Sequence, residues 1–338
     1  MQKISLPVFI AAIVIIAIIA GAVGYYAKPV PTPPPKPGEG MVIYWIGGAA
    51  GDPFDARLYK GATDAAELLG IKLVYAHTKW DPDKMVAEFK KAIAANPDGI
   101  VVMGHPGLEA LEPLFKEAAD KGILVTLANV DIPELRDKYW FTGYVGQNLY
   151  MSGYTLAKEA LKRFADKLKP GARAAIFSGS WEQPARALRA IGVEDALKEA
   201  GLIVDRVSHP PEVYGSPAEG LPYVSGYLAK HADVVLICFD GGGTTAAAAD
   251  YMKSLGKKPG EIVVIGFDLT PGSVKGLEEG YVQLVIDQQP YLQGFLTVLN
   301  LFLSKKYGFA GLYIDTGGAV IGPEEVKWVK DLVEAGYR

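Results

Sequence analysis

From Met41 onward the chain alternates short β-branched runs with longer helical stretches, and this alternation limits the possible folds more than any other feature. The runs predicted as strands are Val42–Ile46, Lys72–Ala76, Gly99–Met103, Leu124–Ala128, Trp140–Gly143, Ala174–Ser178, Ile203–Ser208, Val234–Phe239, Ile262–Phe267 and Val282–Ile286. Helical periodicity fills Ala56–Leu69, Pro82–Ala95, Leu108–Lys121, Leu149–Lys167, Ala185–Ala200 and Thr244–Leu255. Continuous apolar strands joined by helices belong to parallel sheets covered on both faces. Gly70, Gly122, Gly201 and Gly256 each stand where a helix ends before a strand, the position glycine favours. Leu68-Leu69-Gly70-Ile71 is echoed by Glu199-Ala200-Gly201-Leu202. Met41 to Arg338 is too long for the usual single core. The expected fold class is therefore α/β, with two doubly wound parallel-sheet lobes.

The N-terminus is different. Leu6 to Tyr26 is uncharged and mostly aliphatic, and a helix needs about 20 such residues to cross a hydrocarbon core. The segment PVPTPPPKPGEG that follows is extended, solvated and semi-rigid, and reads as a stalk. Lys3 on the near side puts the N-terminus inside and the rest of the chain outside. A cleaved signal ending at Ala20-Gly21-Ala22 and an uncleaved anchor are both compatible with the stretch. Residues 1–27 are thus read as anchor or signal and 28–40 as stalk, with the working part extracytoplasmic and tethered at the cell surface.

Net charge is −4, from 34 basic and 38 acidic side chains interspersed along the chain. Nucleic acid calls for a basic stripe, so it is excluded as a partner. Cys238 is the single cysteine, sits in an apolar run and is expected to be a buried hydrophobe. His77, His105, His209 and His231 have no metal-ligand spacing, and they are read as structural residues with no metal.

Open α/β sheets bind ligands beyond the carboxyl ends of their strands. The candidates there are Asp52, Phe54 and Asp55 after the first strand, Asn129 after the fourth, and Trp181 and Arg186 after the sixth. Asp240, Asp268 and Gln288 follow later strands, and Tyr214 adds a flat face. Fixed acceptors with aromatic faces suit a polyol, whose hydroxyls bond while its C–H faces stack. Gly47, Gly48 and Gly51 miss the dinucleotide spacing, and Gly241-Gly242-Gly243 lacks a P-loop lysine, so no nucleotide cofactor is expected. A helix N-terminus offering amides to a hydroxyl or anion suits that second loop better. Neither a nucleophile elbow nor a triad is present. Asp240 and Asp268 could act as an acid–base pair, but binding vicinal hydroxyls needs no catalysis. Arg189, one turn beyond Arg186, competes with it for the ligand.

Asp52-Pro53-Phe54, Gly266-Phe267-Asp268 and Gln288-Gln289-Pro290 together resemble the ribose-binding branch of type I (cluster B) sugar-binding proteins of ABC importers. The likeness runs from about Met41 to Tyr313. It implies a periplasmic-binding-protein type I fold whose lobes join by three crossings, near Gly143–Gln147, Gln288–Pro290 and Tyr313–Gly317, with a helix over Pro290–Ser304 returning to the first lobe. The lobes would then comprise 41–145 with 289–313, and 146–288 with 314–338. By motif, Phe54 is the first stacking aromatic, Asp268 the hydroxyl-binding aspartate, Gln288 the hinge-side glutamine and Arg186 the ligand arginine. Asp52 stands where the family has Asn, Asp55 replaces a second aromatic, and Asp240 or Gly241 falls at another Asn. Leu127-Ala128-Asn129 lacks the Asp-Arg of the ribose binders, which points away from ribose to another sugar or polyol.

The resulting expectation is a monomeric, non-enzymatic binding protein. It would capture a small carbohydrate or polyol by hinge closure and hand it to an ABC permease. An enzyme on the same topology, or a sugar- or autoinducer-sensing receptor, are the competing readings.

Overall fold

A computed structural model describes the backbone over residues 6–26 and 34–338. Residues 28–33 of the predicted stalk and the ends of the predicted anchor lie outside those residues, and residues 37–40, expected as the end of the stalk, instead form a turn on the lobe, where the Gly38 N–H donates to the Leu69 carbonyl at 2.8 Å and the Met41 N–H to the Gly38 carbonyl at 3.0 Å. Helix α1 (Leu6–Tyr26) falls in a unit of its own, Met1–Lys36, and Pro37–Arg338 forms a second unit. Among residues whose backbone and side chains are both described, no helix is long and apolar enough to cross a membrane. Several α1 side chains lie outside that set, and the helix is 21 residues long without a charge.

The second unit holds two six-stranded sheets. The first lobe runs β1 (Val42–Gly47), α2 (Pro53–Leu69), β2 (Lys72–His77), α3 (Pro82–Ala95), β3 (Gly99–Met103), α4 (Leu108–Asp120), β4 (Leu124–Ala128), α5 (Pro133–Lys138) and β5 (Gly143–Gly146). The second continues with α6 (Leu149–Arg163), β6 (Arg173–Ser178), α7 (Pro184–Glu199), β7 (Ile203–Ser208), α8 (Leu221–Leu228), β8 (Val234–Phe239), α9 (Gly242–Ser254), β9 (Val263–Phe267), α10 (Pro271–Glu278) and β10 (Leu284–Asp287). Then come α11 (Pro290–Tyr307), β11 (Tyr313–Asp315), β12 (Ala319–Ile321) and α12 (Lys330–Glu334). The sheet orders are β11-β5-β4-β3-β1-β2 and β12-β10-β9-β8-β6-β7. Every pair is parallel except β10 with β12. The expected α/β class with two doubly wound lobes is what the chain adopts.

Local chemistry explains the boundaries. β3 is buried at every position, as a central parallel strand must be. Pro53 opens α2 behind Asp52, whose side chain accepts the Phe54 N–H, and the helix stops at Gly70 with φ 77°. The strand predicted at Trp140–Gly143 lies three residues further on, as β5. Thr142 spends its N–H on a turn to the Tyr139 carbonyl and Trp140 is exposed, whereas Tyr144 and Val145 are fully buried. Glycines at both ends of β5 hide it from a propensity reading. Cys238 is buried in β8, as expected.

The chain passes between sheets between β5 and α6, between β10 and α11, and between β11 and β12. The three strands of the passage are bonded to one another. Gln289 Nε2 donates to the Thr316 carbonyl at 3.0 Å, Gln293 Nε2 to Thr316 Oγ1 at 3.1 Å, and the Asn148 N–H to Asp315 Oδ1 at 3.0 Å.

Each lobe contains a close helix crossing built on a pair of glycines. A Cβ at Gly61 of α2 would fall 2.0 Å from the Tyr291 carbonyl oxygen of α11, and one at Gly294 of α11 2.0 Å from that of Leu58. In the second lobe Gly153 of α6 and Gly192 of α7 meet the Arg189 and Tyr150 oxygens at 1.9 and 2.2 Å in the same sense. Backbone carbonyls cannot retreat as a flexible side chain would. Gly294→Ala should therefore cost about 1–3 kcal/mol by overpacking, whereas Gly226→Ala, in the helix α8 with open space around it, should gain roughly 0.5–1 kcal/mol. Urea denaturation of both variants checks the contrast.

Candidate functional site

Backbone strain marks the edge where the strands end. Among the described residues six non-glycines have left-handed φ, and five of them, Lys79, Trp80, Asn129, Asp268 and Gln289, lie within three residues of the ends of β2, β4, β9 and β10. Asn96, the sixth, caps α3. Residues held in that region away from helix ends cluster at binding sites, because only a tightly determined surrounding keeps them there.

In the first lobe Asp52 accepts the Phe54 N–H at 2.7 Å and the Trp80 indole N–H at 2.8 Å. Burial raises its pKa to about 6 despite those two donors. The indole then reaches Phe54, ring centroids 5.9 Å apart, and His105 at 5.7 Å. His105 Nε2 donates to Asn129 Oδ1 at 3.2 Å, and Asn129 Nδ2 donates to Gln288 Oε1 at 3.2 Å. Burial, then the positive charge of Arg186, pushes His105 down to about 4, so it is neutral at pH 7.

The second lobe supplies the opposing wall. Asp240 is fully buried and accepts from Tyr214 Oη at 2.6 Å, Ser178 Oγ at 2.7 Å and Arg186 Nη1 at 3.4 Å. Arg186 and Arg189 both donate to the Asp240 carbonyl as well. Burial lowers the Arg189 pKa to about 10, with Arg186 adding to the effect, and its guanidinium lies 4.4 Å from the centre of the Phe267 ring. Asp268 accepts from Gln288 Nε2, and burial raises its pKa against the pull of Arg189. Its other oxygen lies against the start of α9, where a Cβ at Gly242 would fall 2.2 Å away. At that glycine-rich helix start, where a hydroxyl or an anion was expected, the chain places its own Asp268 carboxylate close by, and the helix dipole favours a negative charge there. Arg189 Nε is buried here without a protein hydrogen-bond partner, while the Gln183 side chain faces His105.

Asp52, Phe54, Asn129, Arg186, Tyr214, Asp240, Asp268 and Gln288 are therefore brought together, and Arg189 joins Arg186 rather than replacing it. Asp55 and Trp181 are not part of the cluster. The Asp55 carboxylate is taken up by the Gly48 N–H at 2.7 Å, Tyr75 Oη at 2.9 Å and His77 Nδ1 at 2.8 Å, so it holds the loop behind Asp52. Trp181 lies under the Arg206 guanidinium at 4.6 Å and packs on the second-lobe core. Trp80 and His105 were missed. The strand-end rule applied to β2 and β3 would have found both, and His105 makes its hydrogen bond within this cluster.

Two α/β lobes joined by three crossings, with a cluster of buried polar groups at their strand ends, define the class of two-lobed solute-binding proteins. Residues 43–303 match the periplasmic binding protein domain, and the chain belongs to that family. It is 28% identical to the xylose/arabinose-binding protein XylF of Sulfolobus acidocaldarius, over 80% of this chain and 70% of that protein. It is also 28% identical to the ribose import binding protein RbsB of Haemophilus influenzae, over 74% and 80%. In fold it is similar to a carbohydrate transporter from Acidothermus cellulolyticus 11B solved with myo-inositol, at TM-score 0.76 and 24% identity over 88% of this chain and 99% of that one. A solute-binding, non-enzymatic family agrees with the absence of a catalytic motif.

Asp52 gives a pH prediction. Its pKa rises from 3.8 in the unfolded chain to about 6 on folding, so the folded state holds the proton more tightly. The stability this contributes is fully present below pH 3.8 and is lost as pH rises through about 6. Asp52→Asn removes that loss, so its melting temperature relative to the parent chain should rise between pH 4 and pH 7. A constant offset across a calorimetric pH series would contradict the assignment.

Proposed function

We propose that the chain captures a small carbohydrate or polyol outside the cytoplasm by closing its lobes upon it, and delivers it as a monomer to an ABC permease. The observation that carries this reading is the run of hydroxyl-binding groups across both lobes, Asp52, His105, Asn129, Gln288, Asp268, Arg186 and Asp240, beside the aromatic faces of Phe54, Trp80 and Tyr214. Amide, carboxylate and guanidinium groups offer hydroxyls both donors and acceptors, while flat rings cover C–H faces. The named sugars and the inositol of the related proteins are of this chemical class. In this reading residues 41–145 and 289–313 form one lobe, 146–288 and 314–338 the other, and they move about the three crossings.

The same reading makes α1 an uncleaved membrane anchor and residues 28–36 its stalk, since 37–40 already pack on the lobe. Ile13, Ile15, Ile16 and Ile18 are more than half exposed, and a helix of 21 uncharged residues needs a hydrocarbon surrounding for such a surface.

Thermal-shift screening against pentoses, hexoses, inositols and nucleosides tests the function. A ligand at a hundred times its Kd should stabilise the native state by about 2.7 kcal/mol. Asp268→Ala should abolish the shift while leaving a cooperative melt, because it removes an acceptor at the centre of the cleft. A shift that survives undiminished would overturn the site.

A further inference from the structure

We propose that the base of the first lobe, the edge opposite the cleft, is a lipid-facing surface that seats the lobe in the headgroup region of a bilayer. The inference rests on reading α1 as a membrane anchor. All strands of the first sheet are parallel, so their amino ends share one edge. At that edge Trp140, Tyr307, Phe309 and Leu312 are 59, 58, 57 and 43% exposed. They are neighbours: the Gly311 N–H donates to the Trp140 carbonyl at 3.1 Å, and the Tyr307 and Phe309 rings lie 6.1 Å apart. Helix α11 descends from the crossings to this edge and ends in Lys305-Lys306-Tyr307, all exposed.

The covalent path to α1 starts from the same edge. Asp98 accepts the Val42 N–H at 2.9 Å and pairs with Lys305 at 3.2 Å, so the entry of the chain into β1 lies beside the end of α11. Exposed aromatic patches of this kind mark partner or membrane surfaces. Tyrosine and tryptophan, apolar with a polar tip, settle at headgroup depth, and lysines lay their stems along apolar surface while their heads meet phosphates. The stalk decides between the two kinds of partner. The proline-rich linker before the turn at 37–40 is short, residues 28–36, and at about 3.1 Å per residue it can span at most roughly 28 Å, so a bilayer holding α1 meets this edge at high effective concentration and needs only weak contacts. Seated this way, the lobe holds its strand carboxyl ends, and the cleft, away from the lipid.

The native Cys238 is buried, so a nitroxide can be placed selectively on Phe309→Cys. Trp328→Cys, at an exposed tryptophan of the second lobe, serves as the reference. Both full-length chains are reconstituted in nanodiscs of phosphatidylcholine and phosphatidylglycerol, and collision rates with oxygen and a water-soluble nickel chelate are measured. The label at 309 should collide several-fold more with oxygen and several-fold less with nickel than the label at 328. Equal, water-like accessibility at both sites in a chain that stays in the nanodisc overturns the proposal and leaves the anchor standing. Dipolar broadening between copies at 309 also overturns it, in favour of a second chain as occupant. A chain that does not associate with the nanodisc at all overturns the anchor reading, and the seating with it.

Discussion

The buried charge at the strand ends constrains everything around it. Asp240 has no exposed surface, and removing a carboxylate from water costs several kcal/mol unless donors replace the lost hydration. Tyr214, Ser178 and Arg186 are those donors. Two arginines side by side would repel, but Arg186 and Arg189 share the Asp240 carbonyl and face Asp268, so negative charge is present on both sides of the pair. They occupy the first turns of α7, and α7 keeps its place through the glycine crossing with α6, where Gly153 touches the Arg189 carbonyl itself. The packing of the helix pair and the electrostatics of the cleft are thus one constraint. A side chain at Gly153 would move the guanidinium as well as the helix.

The first lobe has a buried carboxylate of its own, at Asp55. Asp55 lies under the Gly47–Asp52 loop and ties it to Tyr75 and His77 at the end of β2. The Gly48 N–H, which would otherwise be a free buried donor, is used in that tie. With the loop fixed from below, Asp52 can present one oxygen to the Phe54 N–H and the other to the Trp80 indole. This explains why an aspartate stands at 55, where the family it resembles has a second aromatic. Trp80, on the neighbouring loop, places a ring near Phe54.

The lobes, their parallel sheets and most strand limits were legible because continuous apolar runs and helix-ending glycines repeat along the chain. β5 was displaced because its glycines carry no propensity, and β11 and β12 are too short for periodicity to register. Site residues were legible where an acidic or amide side chain directly follows a strand, as at Asn129, Asp240, Asp268 and Gln288. Asp55 and Trp181 were misplaced for a geometric reason. Adjacent residues on a loop point in different directions, and sequence distance from a strand end does not give the direction. Trp80 and His105 follow strands just as Asn129 does. What concealed them was their residue type, since a lone tryptophan or histidine usually packs or caps.

The three crossings carry the mechanical side of the problem. Gln288 bonds to Asn129 of one lobe and Asp268 of the other, while Gln289 and Gln293 bind the neighbouring crossing at Thr316. The crossings and the polar cluster are therefore adjacent, and Gln288 belongs to both. Arg57 adds a further link, donating from α2 to the Val333 carbonyl of the segment rooted in the second-lobe core. Arg189 Nε is buried without a protein partner, and such a group costs about 1–3 kcal/mol. A solute shuts a two-lobed protein only if it binds the closed state more tightly than the open one. A solute oxygen that accepted from Arg189 Nε would supply such a difference if parting the lobes gave that atom water.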